Sequence, residues 1–147
     1  MLIETLKLLF TRDLEKLGTE IESYRQEENI WKTQGTIINS AGNLCLHLVG
    51  NLNTYIGREI GKTGYTRNRE LEFSIKYVSR AELLHKIYDT GSVVSSALDN
   101  LNEADLSKQY PVLVFEEKTS VEYLLVHLAT HLTYHLGQVN YHRRLID

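Results

Sequence analysis

Val121 to Leu145, VEYLLVHLATHLTYHLGQVNYHRRL, is the stretch that decides the fold. It has no proline, is apolar on most sides, and is long enough for a full helix of a bundle. Residues three and four apart share one helix face. At ~100° per residue, His127, His131 and His135 fall about 40° apart in succession and form a stripe. His142 follows, so four of the chain's six histidines lie in this stretch. Imidazole is the commonest metal-binding side chain, and two at i, i+4 reach one ion from a single helix. The plain alternative is a leucine-rich helix with buried or boundary histidines. The stripe alone leaves both open.

Outward from this stretch, Thr119-Ser120-Val121-Glu122 reads as a capping box that starts the last helix. Ser79-Arg80-Ala81-Glu82 reads the same way and starts a third helix, running to about Leu98 or Leu101 with Leu83, Leu84, Ile87, Val94 and Leu98 inward. Between them, Asn102 to Lys118 is a connection holding the only proline, Pro111, with VLVF at 112–115 as a short extended piece.

The first helix spans about Leu2 to Tyr24. Ile3, Leu6, Phe10, Leu14, Leu17, Ile21 and Tyr24 make one apolar stripe, with charges at the other positions. Gln26 to Asn39 is a polar link whose Trp31 covers one end of the core. The second helix spans about Ser40 to Glu59, capped by Asn39 or Ser40. Leu44, Leu48, Leu52 and Ile56 form its buried stripe; Asn43, His47 and Asn51 form a polar one beside it. His47 sits between Leu46 and Leu48, which favours a polar lining for an internal site over a solvated edge. Gly42, Gly50 and Gly57 each cost about 1 kcal/mol in a helix, so something packs close to this backbone.

Gly61 to Ser74 reads as a polar loop. Its Arg67, Arg69, Glu70 and Glu72 fit solvated charges better than an anion clamp. His85, beside Lys86, is structural or exposed. The expected architecture is all-α: one domain over residues 1–147, a four-helix bundle with long inter-helix connections.

Composition narrows function. A net charge of −3 leaves no basic footprint for nucleic acid, and no stretch reaches the ~18 uncharged apolar residues of a membrane span. The single cysteine, Cys45, lies among leucines and reads as a buried inert thiol. The N-terminus does not read as a signal peptide, so a soluble cytoplasmic protein is expected. A ferritin-like di-iron site needs two Glu-x-x-His strings; only Glu82-Leu83-Leu84-His85 is present.

The string N-L-C-L-H-L-V-G-N around His47, paired with H-L-T-Y-H-L-G-Q-V over residues 131–139, resembles the DinB-like superfamily of four-helix metal-binding proteins, also called YfiT-like. R-N-R-E-L-E-F at 67–73 is similar to the segment that follows helix two in some members. The resemblance implies three metal ligands, His47, His131 and His135, with Gly137 and Gln138 completing the motif. His127 falls one turn early and belongs to the surrounding shell or core. The resemblance also implies a divalent ion such as zinc or nickel, a small-molecule substrate and a homodimer. Some such proteins transfer a low-molecular-weight thiol, of the bacillithiol kind, to an electrophile. Three neutral ligands leave the ion its double charge and one position open, which suits activation of a thiol or a water. The competing expectations are a metal-dependent hydrolase and a non-catalytic dimeric metal-binding or structural module.

Overall fold

The structure, a computed structural model, describes residues 1–147. It is all-helical, with five α-helices: α1 (Leu2–Glu22), α2 (Ala41–Leu52), α3 (Arg69–Ser74), α4 (Arg80–Asp99) and α5 (Val121–Ile146). Short 3-10 turns occupy Glu27–Trp31 and Glu103–Ser107. No helix is long and apolar enough to cross a membrane.

The four long helices form where the apolar stripes are. Every member of the α1 stripe, from Ile3 to Tyr24, is buried. α1 packs on α4 and α5, and α2 packs on the same two helices from the other side. Their buried apolar side chains make one continuous cluster. α2 continues beyond Leu52 as a π-helical stretch, Asn53–Arg58, which holds Ile56 in the core. Within it, the Asn53 amide donates to Val49 O at 2.8 Å and to Thr90 Oγ1 of α4 at 2.9 Å.

Several expectations need correction. The 61–74 segment is not wholly a loop, because α3 forms in it, capped by Asn68 Oδ1 on the Leu71 N–H. Residues 112–115 form no strand; their neighbours are tied only by an isolated bridge between Gln109 and Ser120. Instead Val112, Val114 and Phe115 lean half-buried on the core. The last helix is capped by Ser120, not Thr119, since Ser120 Oγ accepts from the Tyr123 N–H at 3.1 Å. At Ser79 only half of the expected box is made, the Glu82 N–H to Ser79 Oγ bond at 3.2 Å. α5 is buried on one face rather than on most sides. Leu124, Leu125, Leu128, Leu132, Leu136 and Val139 face the core, while Tyr123, Val126, Tyr134 and Tyr141 are exposed.

The three α2 glycines have neighbours within the chain. A Cβ on Gly42 would strike the Trp31 ring, one on Gly50 the Glu72 carboxylate, and one on Gly57 the Val93 side chain. The expected close packing against this backbone is thus made by the chain's own Trp31, Glu72 and Val93, and these glycines give no reason for a second copy to pack there.

Candidate metal centre

His47 projects from the middle of α2, and His131 and His135 project from successive turns of α5. Ser40 starts α2 cleanly, its Oγ accepting from the Asn43 N–H at 3.2 Å. Leu44 and Leu48 on α2, and Leu128, Leu132 and Leu136 on α5, fix both helices against the core. The three rings meet between them. His131 Nε2 lies 3.3 Å from His47 Nε2 and 3.2 Å from His135 Nε2. One ligand atom from each residue lies within 4.8 Å of the others. Two nitrogens on a tetrahedral zinc, each about 2.0–2.1 Å from it, sit roughly 3.3 Å apart. The residues therefore fit a divalent ion, and the group can hold one.

The far sides of the rings set their tautomers. His47 Nδ1 lies 3.2 Å from Glu72 Oε1, and its N–H donates to that carboxylate. His135 Nδ1 donates to Gln138 Oε1 at 2.6 Å. With the proton on Nδ1, each ring turns the lone pair of Nε2 toward the common point. A carboxylate or amide behind a ligating histidine is the usual arrangement for holding ring and tautomer. His131 differs, because its buried Nδ1 has no partner. Asn51 Oδ1, one turn along α2 from His47, is likewise buried without a partner. Orphaned buried polar atoms are uncommon, and each calls for an explanation such as a bound ion or water.

Sequence reasoning misses Glu72. The expected solvated charges at Arg67 and Glu72 are instead an inward-facing ion pair. Arg67 Nε and Nη2 donate to the two Glu72 oxygens at 2.8 and 2.9 Å, and the carboxylate is buried. Burial pushes the Glu72 carboxyl up, but the bonds from His47 and Arg67 and the Arg67 charge outweigh it, and the group lies below its ordinary range. The segment is delivered by Asn43, whose side-chain amide donates to Glu72 O at 2.9 Å and Ile75 O at 2.8 Å. The polar stripe of α2 thus lines an internal site, as its pattern suggests, and its first member docks α3. The available signal is Gly50, three residues past His47 on the same face, which leaves the notch that Glu72 fills.

The electrostatics favour the neutral form of His131 and His135. Burial pushes His131 down to about 4, and the neighbouring His135 and His47 add to the effect. Burial also lowers His135, against the opposing bond to Gln138. Neutral imidazole is the form that binds metal.

The other histidines do not join. His127 stacks on His131, ring centroids 6.0 Å apart, and meets Phe115 at 4.8 Å, so it belongs to the shell. His142 is buried elsewhere, accepting from Tyr24 Oη at 2.6 Å and donating from Nε2 to Lys32 O at 2.7 Å. His85 is exposed on α4.

Residues 3–147 match the family described as "Protein of unknown function (DUF1572)", and the chain belongs to that family. No curated protein matches it.

Proposed function

We propose, from that family membership and this geometry, that the protein is a metal-dependent enzyme whose divalent ion is held by His47, His131 and His135. The convergence of the three rings carries the reading, with His131 Nε2 at tetrahedral spacing from both His47 Nε2 and His135 Nε2 and all three ligand atoms within 4.8 Å of one another. The order of the ligands along the chain supports it too, since His47 precedes an H-x-x-x-H pair followed by Gly137 and Gln138, the pattern of the DinB-like superfamily. Zinc and nickel both suit an imidazole set.

The reaction we infer is transfer of a low-molecular-weight thiol to an electrophile. Held by His47, His131 and His135 with a position open, a divalent ion would lower the pKa of a thiol that binds it. The new bond joins sulfur to the electrophilic carbon, the thiol proton passes to solvent, and the displaced bond's electrons leave with the leaving group. The chain's own residues hold the three rings and fix their tautomers through Glu72 and Gln138. Hydrolysis is the weaker reading because it wants a free general base. Glu72, the carboxylate beside the rings, is already committed to His47 and Arg67. A homodimer remains part of the proposal and rests on the superfamily resemblance alone. A cytoplasmic location suits the lone, fully buried Cys45.

The test is a screen of thiols against electrophiles with zinc- or nickel-loaded protein, following loss of thiol. Turnover that disappears in His135→Ala supports the proposal. Equal turnover in His135→Ala overturns it.

A further inference from the structure

Gly137 is a helical glycine that the fold does not require. It lies in the middle of α5, where glycine costs about 1 kcal/mol relative to alanine. At Gly42, Gly50 and Gly57 a neighbouring side chain takes the space where a Cβ would sit. At Gly137 nothing lies within 4 Å of the Cβ position, and its φ is not positive. Neither packing nor backbone conformation within the chain explains the residue.

Gly137 lines a half-open cleft of about 560 Å³ between the 36–39 link, the first part of α2 and the end of α5. That size falls among small-molecule sites, roughly 300–1,000 Å³. Ile37, Leu44, Tyr134 and Tyr141 supply much of its wall, with Gln138 as a polar point, and no Asp, Glu, Lys or Arg lines it. His142 also borders the cleft, but both its nitrogens are engaged, which leaves it only a ring face to offer. The cation recorded beside its wall, Arg144, stacks on the Tyr141 ring at 5.5 Å and is not among the lining residues, so a charged ligand in the cleft would lose hydration without a direct counter-charge.

We infer that this cleft binds an uncharged small molecule with an apolar or aromatic body, seated over Gly137 against Leu44 and the Tyr134 and Tyr141 rings. What such a molecule would undergo rests on the metal-enzyme reading; its binding does not. Gln138 joins the two places, since it lines the cleft and its Oε1 accepts from His135 Nδ1 at 2.6 Å. The cleft is thus one side chain away from a ring of the histidine group, and its occupant is suited to be the electrophile.

The experiment is a titration of ¹⁵N-labelled full chain with 2-naphthol, and in parallel with 2-naphthalenesulfonate, the same ring system carrying a negative charge. The expected result is saturable shifts of amides at 36–39 and 137–138 with naphthol, and at least tenfold weaker binding of the sulfonate. Gly137→Leu, which grows into open space, is expected to cut naphthol affinity at least tenfold while keeping the wild-type helical circular dichroism. Gly137→Ala serves as a folding control and is expected to raise the melting temperature. Naphthol shifts that leave these amides unmoved overturn the inference, as does equal affinity for the sulfonate. So does light scattering in which Gly137→Leu converts a dimer to a monomer, which would assign the gap to a second copy. A wild-type protein that takes up naphthol but no metal overturns the metal reading and leaves this inference standing.

Discussion

Glu72 Oε1 lies 3.2 Å from His47 Nδ1, and the same carboxylate fills the notch left by Gly50, where a Cβ would overlap Glu72 Oε2. A glycine on one helix and a carboxylate from a short helix beyond it therefore act together on one ring. Partners of this kind are typically worth 10–100-fold in metal affinity. Glu72→Ala is expected to weaken zinc binding by about that factor. Gly50→Ala, which alters no polar atom, is expected to weaken it similarly by displacing the carboxylate. Competition against a chromogenic chelator reads both, and unchanged affinity in both variants would mean that Glu72 does not position His47.

His142 is expected to behave as a structural histidine. Tyr24→Phe leaves its buried Nδ1 without a donor, which costs about 1–3 kcal/mol. Urea unfolding should show the loss, with metal stoichiometry unchanged. A loss of metal in this variant would contradict the separation of His142 from the centre.

The metal-free protein is expected to lose stability in mild acid. His131 sits at about 4 when folded, while an unfolded histidine titrates near 6.5. Between those values the unfolded chain binds more protons, so stability is full above about pH 6.5 and falls as pH drops toward 4. His135 is shifted in the same direction and adds to the slope. Urea midpoints of apo protein across this window measure it. His131→Asn should flatten the dependence; an unchanged slope would assign it to other groups.

The start of α5 can be checked at one residue. Ser120→Ala is expected to cost about 0.5–2 kcal/mol, the usual range for losing a cap. Thr119→Ala, one residue earlier, is expected to cost little. The reverse order in thermal unfolding would restore the cap to Thr119.

Much of this arrangement is legible in the chain because local pattern determines it. The α1 stripe from Ile3 to Tyr24 is buried throughout, and the spacing of His131 and His135 places both rings on one face without reference to any other element. The i, i+4, i+8 placing of Asn43, His47 and Asn51 likewise marks an internal polar wall. Glu72 is not legible, because its partner lies 25 residues back and meets it only when Asn43 hooks the 72–75 backbone onto α2. The exposure of Val126 and Tyr134 is hidden for a related reason. Apolar residues around most of a helix do not say which face neighbouring helices leave uncovered, and α5 is uncovered along the cleft and the groove beside α1.

The most direct test of the central claim is elemental analysis of protein purified without an affinity tag, reloaded with zinc or nickel and desalted. One ion per chain is expected in the wild type, in His85→Ala and in His127→Ala, and none retained in His135→Ala. No retained ion in the wild type, or an undiminished ion in His135→Ala, would contradict a centre built from His47, His131 and His135.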